Sequence, residues 1–120
     1  MQTTKQKQVI NKESFTHYVI ELDLQDNFSK TEIKNKVRKL IRNLELEIVK
    51  TVDYNFTPYG TTIAFILSSS HLIVHTWSEN NYLHIDLFCC KKLISVNEIK
   101  ELLKESFQTN EVLVRTVNYG

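Results

Sequence analysis

A run of strand-like segments between residues 61 and 90, with no helix between them, most constrains the fold of this chain. Three apolar segments, 61–69, 71–77 and 82–90, follow one another and are separated only by short polar stretches. The stretch Ser-Glu-Asn-Asn at 78–81 is typical of a hairpin loop. This loop predicts that Trp77 pairs with Tyr82 and that His75 lies opposite His84.

Two amphipathic helices are predicted on either side of this run. Ser29 and Glu32 form an S-x-x-E capping box that begins a helix over about 30–44. Ser95 and Glu98 repeat the box before a second apolar stripe with helical spacing. Both helices therefore have one apolar face to bury.

Alternating patterns predict further strands at 18–24, 46–56 and 111–117. In the segment 46–56, every second residue from Leu46 onwards is apolar except Lys50. These apolar residues are Leu46, Ile48, Val52, Tyr54 and Phe56. The predicted order is β-α-β-β-β-β-α-β. This order predicts an α+β two-layer sandwich, with two helices on one face of a mainly antiparallel sheet. The other face stays free for a site or a partner.

The length of 120 residues fits one domain, which we place at 15–120 behind a polar N-terminal arm at 1–14. The 15 basic and 14 acidic residues leave no charge excess for nucleic acid. The longest apolar run, Ile63–Leu67, is too short to span a membrane. The N-terminus lacks the apolar core of a secretory signal, so we expect a cytoplasmic protein.

A metal site is one possibility, because three histidines, His71, His75 and His84, lie near Asp86 in the sequence. No C-x-x-C or H-E-x-x-H spacing accompanies them. We therefore favour partly buried strand histidines and expect no metal.

The two cysteines, Cys89 and Cys90, are neighbours, and neighbours on a strand face opposite sides of the sheet. A disulfide between them is not expected. The hairpin register places Cys90 opposite Ser69 and next to Ser70, so Ser, His and Cys converge on one hairpin. The residues alone leave open a Cys/His nucleophile pair and a pair of ordinary buried thiols.

The stretch from Asn55 to Cys90 resembles the central region of bacterial S-adenosylmethionine decarboxylases. That family has a Phe-x-Pro-x-Gly turn, a Glu-Ser-His step, an Ile-His-Thr-Trp-Pro-Glu segment and an Asp followed four residues later by Cys. The matching residues here are Phe56, Pro58 and Gly60, then Ser70-His71, then Val74-His75-Thr76-Trp77-Ser78-Glu79, and finally Asp86 with Cys90.

The resemblance implies a proenzyme that cuts itself between Ser69 and Ser70. The Ser70 hydroxyl would attack the preceding carbonyl, and elimination and hydrolysis would convert residue 70 into a pyruvoyl group. Thr62 would assist the oxyanion, and His75 would move the proton in the elimination.

The resemblance also implies decarboxylation of S-adenosylmethionine in polyamine (spermidine) biosynthesis by a homodimer of processed protomers. The pyruvoyl derived from Ser70 would be the covalent cofactor and form a Schiff base with the substrate amine. Cys90 would return a proton to the substrate carbon. Phe56 would stack on the adenine, and Glu79 would accept hydrogen bonds from the ribose.

Three residues depart from the family pattern: Ser69 replaces a Glu, Ser78 replaces a Pro, and Lys91 stands where Gly is frequent. The change at Ser69 removes a carboxylate beside the bond to be cut. Two alternatives therefore stay open. One is a divergent decarboxylase of arginine or ornithine, and the other is an unprocessed, non-catalytic homologue.

Overall fold

The computed structural model describes residues 10–119 as a six-stranded sheet with two α-helices. The elements are β1 (Thr16–Asp23), α1 (Lys30–Asn43), β2 (Ile48–Asn55), β3 (Thr61–Leu67), β4 (Ser70–Trp77), β5 (Tyr82–Cys89), α2 (Val96–Phe107) and β6 (Val112–Thr116). The predicted order and the α+β class are confirmed. Most of the arm at 1–14 lies outside the described residues, so its boundary stays a prediction.

The strand order across the sheet is β2-β3-β4-β5-β1-β6, and every neighbouring pair is antiparallel. The predicted hairpin register is confirmed, because Trp77 pairs with Tyr82 and His75 with His84. The first strand inserts between β5 and β6. Segments far apart in the sequence therefore become neighbours in the middle of the sheet.

The sheet has a covered face and an open face. The covered face packs against α1 and α2, and its fully buried side chains include Ile20, Leu22, Ile63, Phe65, Leu72, Val74, Leu83, Ile85 and Leu87. The open face carries the alternate residues of the same strands, such as His71, Ile73, His75 and Trp77 of β4. No helix among residues 10–119 is long and apolar enough to cross a membrane.

Both helices begin at the predicted serines. Ser29 Oγ accepts a hydrogen bond from the Glu32 amide at 3.1 Å, and the Glu32 carboxylate accepts one from the Ser29 amide at 3.0 Å. That reciprocal box satisfies backbone donors that the first helical turn leaves free. At α2, Ser95 Oγ accepts from the Glu98 amide at 3.2 Å, so this helix has one half of the box.

The predicted parity of the second strand was wrong. The pairing of β2 with β3 shifts register between Ile48 and Lys50. A bulge of this kind exchanges the faces of the residues that follow it. Ile48 therefore packs against the core, whereas Val52 and Tyr54 lie exposed on the open face.

Candidate active site

Ser70 is the first residue of β4, and its hydroxyl lies beside the predicted cysteine. Ser70 Oγ accepts a hydrogen bond from the backbone amide of Cys90 at 3.4 Å. The two residues border a cavity of about 260 Å³ whose other lining residues are Glu45, Leu46, Glu47, Ser68, Cys89 and Lys91. The structure thus brings together two of the predicted catalytic residues, which are twenty positions apart in the sequence.

The two cysteines face opposite sides of the sheet, as predicted from their adjacency. Cys89 is fully buried on the covered face, and Cys90 is exposed. Both are free thiols. Of the two, Cys90 is therefore the thiol that a substrate can reach.

The turn before Ser70 contains the predicted cleavage point. Leu67 pairs with Ser70, so only Ser68 and Ser69 connect β3 to β4. Ser69 has φ of 52°, in the left-handed region that favours glycine. A side chain at such an angle strains the backbone, and this strain lies directly before the predicted scissile bond.

Thr62 and His75 form a second group, on the open face near the other end of β4. Thr62 Oγ1 and His75 Nδ1 are 2.8 Å apart, within hydrogen-bond distance. The His84 ring lies 6.1 Å from the His75 ring, centroid to centroid. Among the described residues, His84 Nδ1 is a buried polar side-chain atom without a hydrogen-bond partner.

The predicted substrate-binding residues lie at this same end of the sheet. Phe56 follows the last residue of β2, is 52% exposed, and packs its ring edge against Tyr54 with centroids 4.9 Å apart. Glu79 lies in a short 3-10 helix, Ser78–Asn80, directly after β4, and is exposed. Gly60 closes the turn after Phe56 with φ of 99°, and a β-carbon there would meet the Thr76 carbonyl oxygen at 3.1 Å.

Within one chain the two groups do not meet. Ser70 and His75 lie five residues apart on an extended strand, which corresponds to about 16 Å along the strand. Their odd separation also directs their side chains to opposite faces. The predicted convergence of Ser, His and Cys in one hairpin is therefore only partly realised, because Ser70 contacts the backbone amide of Cys90 and does not reach His75.

The open face also carries polar groups that sequence reasoning had not assigned. Glu21 accepts hydrogen bonds from the Tyr82 hydroxyl at 2.6 Å and from Arg115. These two hydrogen bonds hold the pKa of Glu21 below its usual range. Burial, and next the bond to Glu21, raise the pKa of Tyr82 to about 12.

His17 was also missed, although its parity on β1 is opposite to that of the buried Ile20 and Leu22 and therefore indicated the open face. Its Nε2 lies 3.0 Å from the Asp86 carboxylate. Among residues 10–119, no group of three or more His, Cys, Asp or Glu side chains is arranged to hold a metal ion. A larger cavity of about 470 Å³ between α1 and α2 is lined by none of the predicted site residues.

Comparison with known proteins gives a consistent result. A family model described as S-adenosylmethionine decarboxylase matches residues 16–120. An S-adenosylmethionine decarboxylase proenzyme of Clostridium botulinum (strain Hall) is 35% identical over 96 residues, covering 79% of this chain and 83% of that protein. A proenzyme of the same name from Acidithiobacillus ferrooxidans is 34% identical over 79 residues, covering 66% of this chain and 59% of that protein.

Among solved structures, the crystal structure of the adenosylmethionine decarboxylase from Aquifex aeolicus superposes with a TM-score of 0.73 at 20% identity, covering 91% of this chain and 92% of that one. That similarity supports the fold, and the family match covers both groups of site residues. This chain belongs to the S-adenosylmethionine decarboxylase family.

Proposed function

We propose that the chain cuts itself before Ser70 and then decarboxylates S-adenosylmethionine for polyamine (spermidine) synthesis. The observation that carries this proposal is the contact between Ser70 and the Cys90 amide at the edge of a cavity. The contact occurs in a chain whose curated relatives are named proenzymes.

Ser70 supplies the oxygen that self-cleavage requires. Attack of Ser70 Oγ on the Ser69 carbonyl carbon breaks the peptide C–N bond and forms an ester. Loss of the Cα hydrogen of residue 70 and of the Ser69 carboxylate then leaves a dehydroalanine. Hydrolysis of the dehydroalanine replaces its nitrogen with the oxygen of water and releases ammonia. The products are a fragment 1–69 and a fragment 70–120 that begins with pyruvoyl.

The residues around Ser70 fit a pyruvoyl group. A pyruvoyl carbonyl supplies an electron sink for the loss of carbon dioxide from an amino acid. The cavity beside Ser70 has room for a small carboxylate, and the exposed Cys90 thiol would return a proton to the substrate carbon. Phe56 would stack on the adenine, and Glu79 would accept hydrogen bonds from the ribose hydroxyls.

The site would be completed by a second copy of the chain. Within one chain, Ser70 and Cys90 lie at one end of β4. The other predicted site residues, Thr62, His75, Phe56 and Glu79, lie near its other end. Its cavity of about 260 Å³ is also below the roughly 300–1,000 Å³ of ordinary small-molecule sites. A twofold axis that runs across the strands exchanges the two ends of the sheet, so the Ser70 end of each β4 would lie against the His75 end of the other subunit's β4.

The open face is the surface that suits this pairing. It exposes a series of large apolar side chains, namely Val52, Tyr54, Ile66, Trp77, Leu113 and Val117, with Phe56 at its end. These side chains lie on or next to β2, β3, β4 and β6, with polar residues of β1 and β5 between them, so the open face is a mixed apolar and polar surface. Face-to-face packing of two sheets would bury it.

The first test is the intact mass of freshly made and of incubated protein. The proposal predicts two fragments of 69 and 51 residues, the second blocked to Edman sequencing. A chain that stays whole would support the non-catalytic alternative. Processed protein that releases carbon dioxide from arginine or ornithine, and not from S-adenosylmethionine, would support the other alternative.

The shared site is tested by mixing two differently tagged variants that are deficient in cleavage, Ser70→Ala and His75→Ala. In a mixed dimer, the His75→Ala chain keeps Ser70 and receives His75 from its partner. About half of the His75→Ala chains should then be cleaved if equal amounts pair at random. The Ser70→Ala chains should stay whole. A mixture in which neither chain is cleaved would contradict a site shared between subunits.

A further inference from the structure

Two histidines on the open face bind one carboxylate oxygen. His17 Nε2 of β1 and His71 Nε2 of β4 each lie 3.0 Å from Oδ1 of Asp86, which stands between them on β5. Three strands are thereby joined at one atom. The decarboxylation described above assigns no role to these residues.

The hydrogen-bond chemistry fixes the orientation of both rings. A carboxylate only accepts hydrogen bonds, so each Nε2 carries the hydrogen. The Tyr119 hydroxyl lies 2.7 Å from His17 Nδ1 and can donate to it. Phe88 packs between the two imidazoles, with ring centroids 5.6 Å from His17 and 5.9 Å from His71. We call Tyr119, His17, Asp86 and His71 the open-face anchor.

His71, the member of the open-face anchor nearest to the predicted scissile bond, is separated from that bond only by Ser70. His71 directly follows Ser70 and is the second residue of β4. On the other side of the bond, Ser69 is held at a positive φ in a two-residue turn. A strained turn relaxes by moving its flanking residues unless the structure around it holds them.

We propose that Asp86 is a positioning residue for self-cleavage, holding His71 so that the strained Ser69–Ser70 bond stays next to the Ser70 hydroxyl. This inference rests on the proposed function. The His71 ring acts through the backbone and does not take the Ser70 proton. The reason is that His71 faces the open side while Ser70 has the parity of Leu72 and Val74 on the covered side.

The position of Asp86 lets its carboxylate join the two histidines. Asp86 pairs with Ile73 of β4 on one side and Val19 of β1 on the other, so its directly opposite cross-strand partners are apolar. Asp86 Oδ1 reaches diagonally to His17 and His71, which both pair with Phe88, two residues closer to the Ser70 end of the sheet. The bond to His17 fixes the carboxylate, and the fixed carboxylate in turn fixes His71.

The test compares three variants: Asp86→Ala, Asp86→Asn and Asp53→Ala. Asp53 is the matched control, because its carboxylate also joins two groups, Lys30 at 2.7 Å and Lys34 at 2.8 Å, but lies on the edge strand β2. Cleavage of each chain is followed by mass spectrometry. Asp86→Ala should be cleaved roughly tenfold or more slowly than wild type, and Asp53→Ala at about the wild-type rate.

Asp86→Asn separates positioning from charge. Its amide keeps an oxygen acceptor of the same size at the same place, so a positioning role predicts a cleavage rate within roughly threefold of wild type. An Asp86→Asn rate as low as that of Asp86→Ala would overturn the proposal. Equal slowing by Asp86→Ala and Asp53→Ala would also overturn it, because general destabilisation would then explain the effect.

A second measurement does not depend on cleavage. In the uncleavable Ser70→Ala background, Asp86→Ala should speed amide hydrogen exchange at residues 70–72 by about fivefold or more, whereas Asp53→Ala should not. Unchanged exchange would overturn the proposal even if cleavage were slow. If wild type never cleaves itself, the proposed function fails, and the exchange result still decides whether Asp86 holds the start of β4.

Discussion

Ser70 and His75 occupy the same strand, β4, yet they lie near its opposite ends and face opposite sides of the sheet. Ser70 contacts the Cys90 amide, and His75 contacts Thr62. A single chain therefore keeps these two groups of predicted site residues apart.

Ser70→Ala should abolish self-cleavage without unfolding the protein. The change removes the only atom proposed to attack the Ser69 carbonyl, and Ser70 sits at a strand end, so the free energy of unfolding should change by no more than about 0.5 kcal/mol. Intact mass and thermal melting measure the two effects. Ser68→Ala and Ser69→Ala are the controls, and both should still cleave. Cleavage in Ser70→Ala would move the site to Ser68 or Ser69.

The two cysteine variants should fail in different ways. Cys90 is exposed. Cys90→Ala should lose turnover, or the proton should go to the wrong carbon, which would convert the pyruvoyl to an amine and inactivate the enzyme. Cys89→Ala should keep turnover and lose about 1 kcal/mol of stability, because Cys89 is fully buried on the covered face. Turnover and the state of the pyruvoyl are measured separately on processed protein. Full activity of Cys90→Ala with an inactive, folded Cys89→Ala would reverse the assignment.

Among the three strand histidines, His75→Ala should slow cleavage most. His75 is the one within hydrogen-bond distance of Thr62, and the proton-transfer role depends on that contact. His71→Ala should slow cleavage less, through loss of the contact with Asp86. His84→Ala should cleave at close to the wild-type rate. Time courses of the three variants decide the order, and a wild-type rate for His75→Ala would exclude its role.

Asp53 should make stability depend on pH in the acid range. Hydrogen bonds from Lys30 and Lys34 lower its pKa from 3.8 to about 2. Because the folded-state pKa is the lower one, the stabilisation is present above pH 3.8 and is lost as the pH falls towards 2. Asp53→Asn should therefore melt at a lower temperature than wild type at pH 7, and the difference should vanish near pH 2. A difference that stayed constant from pH 7 to pH 2 would contradict this ion-pair assignment.

Local sequence patterns were enough to predict the order of elements and one register. Alternation at 71–77 and 82–90, joined by a four-residue polar loop, gave the pairing of His75 with His84. The same alternation separated Cys89 from Cys90. The serine caps placed both helix starts, because a cap and its partner are only three residues apart. Each of these features depends on residues that are near one another in the chain.

Other features depended on which strands became neighbours, and no local pattern carries that information. The bulge between Ile48 and Lys50 turned Val52 and Tyr54 to the open face, because pairing with β3 sets the face of an edge strand. Insertion of β1 beside β5 brought His17 to Asp86 across 69 positions of sequence. The extended backbone of β4 held Ser70 away from His75, because a strand fixes the distance between its residues. The sequence thus determined the chemical groups and their strands, and the tertiary structure decided which of those groups meet.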